Sequence, residues 1–489
     1  MKNILVSGFS DKYLLEVIKV VRKECKVFQL VYSSKSKFAR AGDSFVEDLI
    51  RSDILLSKFS NHFKDPVAYQ AHPEYKESLI FFLNTIDRVY IKPVSNNELV
   101  EYFNYLLDYW TNYLKRNSIT VVFFQSSPHF PWDIALFFAL RFLNIDLFIL
   151  RRTLISNCVV FDRDFRYLHH NLFKFKNHFE GCYEFSEIKE IYTSQSSWID
   201  YSKKILADSK NRRNGNYLFG FLTYKKLLIS PIYLIKDLFT SRKNYFRLDF
   251  FDYFFYLASR FFQQRELNHI WRSISEKELP KKGKFIYFPL HFQPERTTDP
   301  ECEFFSKQLS AIKILLNMFP NDWKIIVKEH PRQNRPEYPN LRRYHFRSQA
   351  FYKSIKSLNR LILLSTEIDS KNIIAISKLT ASCTGSVLWE SLIAGKPSIS
   401  FGSHWHISCR SSPHISELIG NNKALINLIN KDKSDVLKDI EFFLSENREA
   451  FVKASNSELF LTDKGFRATS VKNLSKSIIE ISNKCLSNY

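Results

Sequence analysis

The sequence predicts an α/β protein of two Rossmann-like domains facing a cleft, joined by a helical connector rich in aromatic and basic residues. Three observations carry this. The chain has 489 residues, more than one ordinary hydrophobic core holds. Short apolar runs alternate with helix-length amphipathic stretches in two separate regions, the order of a doubly wound parallel sheet. Between them, from about 201 to 264, Lys and Arg interleave with Tyr, Phe, Leu and Ile, a composition unlike either flank.

In the first region, residues 3–7 read as a buried strand, followed by Gly8, an amphipathic helix over 11–25 and a second strand over 27–32. A mostly helical stretch covers 43–115. A strand over 119–124 ends in the polar loop Gln125-Ser126-Ser127-Pro128-His129-Phe130-Pro131, and a helix over 132–143 and a strand over 146–150 follow. The second region starts after Pro280-Lys281-Lys282-Gly283, with strands over 284–289, 323–327, 360–364, 378–382 and 397–401 separated by helices over 302–318, 349–357 and up to 394. From 415 onward the pattern is helical. The resulting division is an N-terminal domain over 1–200, a connector over 201–280, a C-terminal domain over 281–440 and a helical tail over 441–489.

With 71 Lys and Arg against 50 Asp and Glu, the net charge is +21, which favours anionic partners. Nucleic acid becomes the minor reading: no zinc-finger spacing, no RNA-recognition aromatic motif and no basic helix with heptads occurs, and the basic residues spread along the whole chain. The seven cysteines are scattered and form no CxxC pair, against a disulfide framework or a structural zinc site. The N-terminus lacks the apolar core of a secretory signal, and the most apolar stretch, 120–150, is broken by prolines and charges. A cytoplasmic protein follows. The connector allows two readings, a helical spacer packing on both domains or a surface for an anionic membrane at the inner face of the plasma membrane.

Four loops at predicted strand ends carry the chemistry. In Thr384-Gly385-Ser386-Val387-Leu388-Trp389-Glu390, Gly385 permits close backbone approach, the helix start attracts phosphate, and Thr384 and Ser386 offer hydroxyls. Glu390 shares a helix face with Ser386, where a carboxylate can accept ribose hydroxyls. Lys328-Glu329-His330-Pro331-Arg332 offers Lys328, His330 and Arg332 as a cationic lip for a phosphate or diphosphate. In Phe288-Pro289-Leu290-His291-Phe292-Gln293-Pro294-Glu295-Arg296, Gln293 and Glu295 suit hydroxyls and Arg296 suits a phosphate or carboxylate. In the N-terminal half, His129 or Asp133 is the candidate general base, with Asp133 alternatively orienting His129 or complementing the helix start. Each loop has a plainer reading as a capped helix start or a solvated turn. No Asp-x-Asp motif stands at a predicted strand end, so no metal and no cofactor is expected.

Together the segments YFPLHFQPE, VKEHPR and TGSVLWESLIAGKPSISFG, with SPHFPWDIALFFALRF upstream, resemble the capsule polysaccharide biosynthesis proteins, whose fold is of the GT-B glycosyltransferase type. The resemblance covers about 284–402 and one N-terminal segment. It implies that His330-Pro331 and Thr384-Gly385-Ser386 hold the donor phosphate, that Glu390 meets ribose, and that a C-terminal helix crosses back to the first domain. The family's sugar-acid transferases tend to Pro-Leu-Gln at the first loop, where this chain has Pro289-Leu290-His291, a departure that bears on the donor sugar. The expected function is transfer of a sugar from a CMP- or UDP-linked donor to a glycan or lipid-linked acceptor in surface polysaccharide synthesis. The rivals are a nucleotide-sugar 2-epimerase and a non-catalytic assembly or export protein.

Overall fold

The computed structural model describes residues 2–31, 44–45, 69–86, 95–175, 179–193, 250–334, 347–461 and 465–485. The part of the connector over 201–249 lies outside them; its remainder begins as the helix Phe250–Ile274.

The first sheet has seven strands. In chain order they are β1 (Lys2–Ser7), β2 (Cys25–Val31), β3 (Ser44–Phe45), β4 (Val121–Phe124), β5 (Asp146–Arg152), β6 (Cys158–Asp162) and, from the far end of the chain, β12 (Val452–Lys453). Their spatial order is β12-β6-β5-β4-β1-β2-β3. From β3 to β5 every pairing is parallel, whereas β6 and β12 are antiparallel additions at one edge. The central β4, Val-Val-Phe-Phe, is buried throughout, as a strand covered by helices on both faces must be. Aromatics fill the helix layer: Phe82, Phe103, Trp110 and Phe138 are fully buried among the helices Tyr75–Ile86, Asn96–Arg116 and Pro131–Phe142.

The helix Lys12–Val21 starts where Asp11 accepts the amide of Leu14 and turns Tyr13, Leu14, Val17 and Ile18 inward, one helical stripe. It ends at Val21 because Arg22-Lys23-Glu24 supplies no further apolar position; the expected extension to residue 25 instead enters β2. The C-terminal helix Phe466–Lys484 packs on it. Tyr13 donates to the Ser455 carbonyl at 2.9 Å, and Arg467 holds Glu16 through two nitrogens. The tail thus completes the N-terminal sheet and covers one of its faces.

The second sheet is wholly parallel, ordered β11-β10-β7-β8-β9, with β7 (Lys284–Pro289), β8 (Trp323–Lys328), β9 (Leu361–Leu364), β10 (Leu379–Ser382) and β11 (Ser398–Ser400). Its helices include Gln308–Met318, Gln349–Lys356 and Val387–Ile393. The expected helix over 302–318 splits into a short 3-10 turn at Glu303–Ser306 and the α-helix proper. The carboxyl edges of the two sheets meet: Ser127, after β4, donates to Glu301 at 2.6 Å, and Arg151 of β5 donates to the carbonyl and hydroxyl of Ser403, after β11. Val160 and Tyr183 from one domain share an apolar cluster with Trp389, Trp405 and Phe443 from the other. All seven cysteines are free thiols, and among the described residues no helix is long and apolar enough to cross a membrane.

Candidate active site

Since β7 lies between β8 and β10, the loops after these three strands emerge side by side, with the outer two about 10 Å apart. The loop after β7 is held from below. Its His291 is buried, shares a 2.7 Å hydrogen bond through Nε2 with Ser382 of β10, and donates its backbone amide to Gln308 Oε1. Burial, and secondarily the charge of Arg347, pull the His291 pKa down to about 4, so the ring is neutral at neutral pH. Gly385 lies on this ring: a Cβ there would stand 3.1 Å from His291 Cε1, His291 Nε2 and Ser382 Oγ. A side chain at this position would press on the buried ring and hydroxyl.

A buried network joins the first loop to the second. Arg347 Nε meets Glu329 Oε2 at 2.6 Å, with both side chains 1% exposed. The same guanidinium donates to Gln293 Oε1 and to the His291 carbonyl, while Glu329 also accepts from the Tyr352 hydroxyl and the His330 amide. Gln293 gives its amide nitrogen to the Ser306 carbonyl. This corrects the expectation for Gln293: both ends of its amide are engaged inside the domain, so it shapes the loop instead of facing a ligand. Lys328 is corrected likewise. It is buried, and its ammonium donates to the Ile368 carbonyl and Ser370 hydroxyl; burial lowers its pKa to about 8. Of that motif's cations, His330 is half-buried and packs against Phe292, and Arg332 is exposed.

Thr384 is a third correction. Its hydroxyl donates to the Thr297 carbonyl at 2.7 Å, tying the third loop to the first, and the residue that precedes the helix Val387–Ile393 is Ser386. Ser386 is exposed and donates to Glu390 Oε1 at 2.8 Å, the juxtaposition expected from their spacing. Burial raises the Glu390 pKa against the opposing effects of Ser386, Lys371 and Lys328. Glu295 is exposed and accepts from the Thr297 hydroxyl. Arg296 is partly buried and pairs with Glu301 at 3.3 Å, beside Ser127.

Across the junction, Ser127 leads through Pro128 to His129, whose Nδ1 lies 2.9 Å from the Ser127 carbonyl and whose ring packs on Phe130. Asp133 sits in the first turn of its helix, 8% exposed, and accepts from Ser7 at the end of β1 at 3.0 Å. Burial pushes its pKa up to about 7, against the lowering effects of Ser7 and of the Phe130 amide. Such a carboxyl exchanges a proton near neutrality. The turn into this region uses Gly8 at φ +83°, where a Cβ would stand 3.0 Å from that of Gln125.

Sequence reasoning missed several of these residues. Glu329 lay inside a recognised motif and passed for one of its surface charges. Arg347, Gln308, Tyr352 and Ser7 belong to no motif; only tertiary contact identifies them. The absence of an Asp-x-Asp motif at a strand end is also overturned, because β6 was missed: it ends in Asp162-Arg163-Asp164. Its carboxylates are already engaged, Asp162 by Arg151 and the His170 ring, and Asp164 by Arg166 and Arg141.

No family model matches the sequence, and no curated protein matches it. Among solved structures the chain is similar to KpsC of Thermosulfurimonas dismutans, a beta Kdo 2,7 transferase, at 10% identity and TM-score 0.32, covering 85% of this chain and 83% of that one. It is similar to the UDP-GlcNAc 2-epimerase of Neisseria meningitidis bound to UDP-GlcNAc, at 12% identity and TM-score 0.22, over 91% and 100% of the two chains. It is similar also to a UDP-forming trehalose-phosphate synthase from Burkholderia xenovorans, at 8% identity and TM-score 0.30, over the whole of both chains.

Proposed function

We propose that the chain transfers a sugar from a nucleotide-activated donor, CMP- or UDP-linked, to a glycan or lipid-linked acceptor of surface polysaccharide. The observation that carries this reading is the meeting of loops. The loops after three neighbouring strands of the C-terminal sheet carry Ser386 and Glu390, His330 and Arg332, and Arg296, and the Ser127–Glu301 bond joins the loop that leads to His129 to the partner of Arg296, which supports the reading. In this reading Glu390 takes the ribose hydroxyls, and Ser386, His330 and Arg332 take the donor phosphates. Those cations and Arg296 balance the charge that grows on the leaving phosphate, so the transfer needs no metal. Asp133, with its pKa near 7, takes the proton of the acceptor hydroxyl in an inverting transfer, and His129 borders the acceptor.

Calorimetry with CMP, UDP, GDP and ADP tests the donor pocket. Glu390→Ala is expected to weaken the bound nucleotide about tenfold or more, as loss of a hydrogen-bonded charged group does. Unchanged affinity removes the assignment. Incubation with donor sugar alone separates transfer from 2-epimerisation: a C2-epimeric product formed without acceptor overturns the transfer reading. We place the chain in the cytoplasm, at the inner face of the plasma membrane, on the composition of 201–264. Flotation with anionic liposomes checks this, and absence of salt-sensitive binding leaves that segment a spacer.

A further inference from the structure

A groove of about 720 Å³ lies between the turn at Tyr167–His169 and residues 407–431. Its volume suits a ligand of one to a few rings. The lining is mixed in a particular way. Arg410 is exposed, lies 4.3 Å over the ring of Phe442, and has no ion-pair partner among the described residues. Lys431 is already balanced by Asp439, and Glu417 is engaged by the Tyr167 hydroxyl and the His414 amide. Arg410 is thus the cation of the lining without an ion-pair partner among the described residues, while Glu417, held by neutral donors, keeps its negative charge. His170, whose side chain is 8% exposed, binds Asp162 through Nδ1, and its Nε2 is buried with no hydrogen-bond partner among the described residues. Ser408 and Asn427 add exposed hydroxyl and amide groups, and Leu168, 84% exposed, adds an apolar edge.

A guanidinium for a carboxylate, amide and hydroxyl groups for ring hydroxyls, and small apolar edges for the C–H faces of a sugar together fit an acidic oligosaccharide. The position fits it too. The Tyr167 amide donates to Glu303 at 2.8 Å, two residues beyond Glu301, which receives Ser127 of the His129 loop. The wall of the groove therefore leads to the acceptor side of the cleft. We infer that this groove is an exosite for an acidic glycan acceptor, holding residues behind the reacting end. The inference rests on the transfer reading above and extends it to the class of acceptor.

The test is calorimetric titration of the full chain, without donor, with a galacturonate hexasaccharide and with neutral maltohexaose. The acidic sugar is expected to bind, the neutral one about tenfold more weakly or not at all, and Arg410→Ala to weaken the acidic sugar about tenfold. Ser408→Trp, which fills the groove from an exposed position, should abolish binding, and Glu390→Ala should leave it unchanged within about twofold. Binding insensitive to both Arg410→Ala and Ser408→Trp overturns the exosite, as does equal binding of the neutral sugar. Arg410-dependent binding to anionic vesicles without binding of the hexasaccharide also overturns it, in favour of a lipid surface. Because Glu390→Ala reports on the donor pocket and Arg410→Ala on the groove, failure of one reading is distinguishable from failure of the other.

Discussion

Replacing Arg347 by Met tests whether the loops after β7 and β8 are held by one buried charge pair. Arg347 and Glu329 are each 1% exposed, and the guanidinium also donates to Gln293 Oε1 at 2.8 Å and to the His291 carbonyl at 3.0 Å. Methionine fills much of the same volume but leaves the Glu329 carboxylate buried without its cation. Breaking such a pair from one side costs about 3–5 kcal/mol, against a typical domain stability of about 5–15 kcal/mol. Glu329→Met together with Arg347→Met removes both charges, leaving only the Tyr352 hydroxyl and the His330 amide without their acceptor. The double variant should therefore be more stable than additivity predicts by about 1–3 kcal/mol. Urea unfolding followed by tryptophan fluorescence reads this, because Trp271 packs 5.3 Å from Tyr352 at the edge of the network. A coupling below about 0.5 kcal/mol, or a single variant that loses less than about 1 kcal/mol, refutes the account.

Asp133, raised by burial to about 7, binds its proton more tightly folded than unfolded, so its contribution to stability is full below about pH 4 and is lost as pH rises through about 7. Asp133→Asn should flatten that slope in urea titrations between pH 4 and 7 while abolishing transfer; a slope unchanged in the variant refutes the shift. His406 works in the opposite sense. Burial beside Trp389 and Trp405 pulls its pKa down to about 3, so its contribution is full above about pH 6.5 and is lost as pH falls from there. His406→Phe should narrow the difference in urea midpoint between pH 7.5 and 4.5, and an unaltered difference removes His406 as a source of acid lability.

The parallel core was legible because its cause is local and periodic. Strands such as Ile4-Leu5-Val6 and Phe285-Ile286-Tyr287-Phe288 are apolar on both faces, and turns such as Pro280–Gly283 punctuate them. Two additions were not legible. β6, Cys-Val-Val-Phe-Asp, follows β5 after only five residues, and β12 is two residues long; neither has room for a period. The strand-end rule located the loops of the site, and i,i+4 spacing foresaw Ser386 beside Glu390. Spacing along the chain does not say which way a side chain turns. Lys328, Gln293 and Thr384 have the composition of ligand contacts, yet each is spent on a neighbouring loop, to Ser370, Gln308 and Thr297 respectively. Their partners lie 42, 15 and 87 positions away, distances at which no local pattern operates.

The return of β12 and the helix Phe466–Lys484 to the opening domain affects how the chain is made. Domains ordinarily fold in the order in which they leave the ribosome. Here β6 waits as an unpaired edge, and the apolar face of the helix Lys12–Val21 waits uncovered, until more than 450 residues have been translated. During that interval the nascent N-terminal half presents an open strand edge and an apolar face of the kind on which other chains can pair.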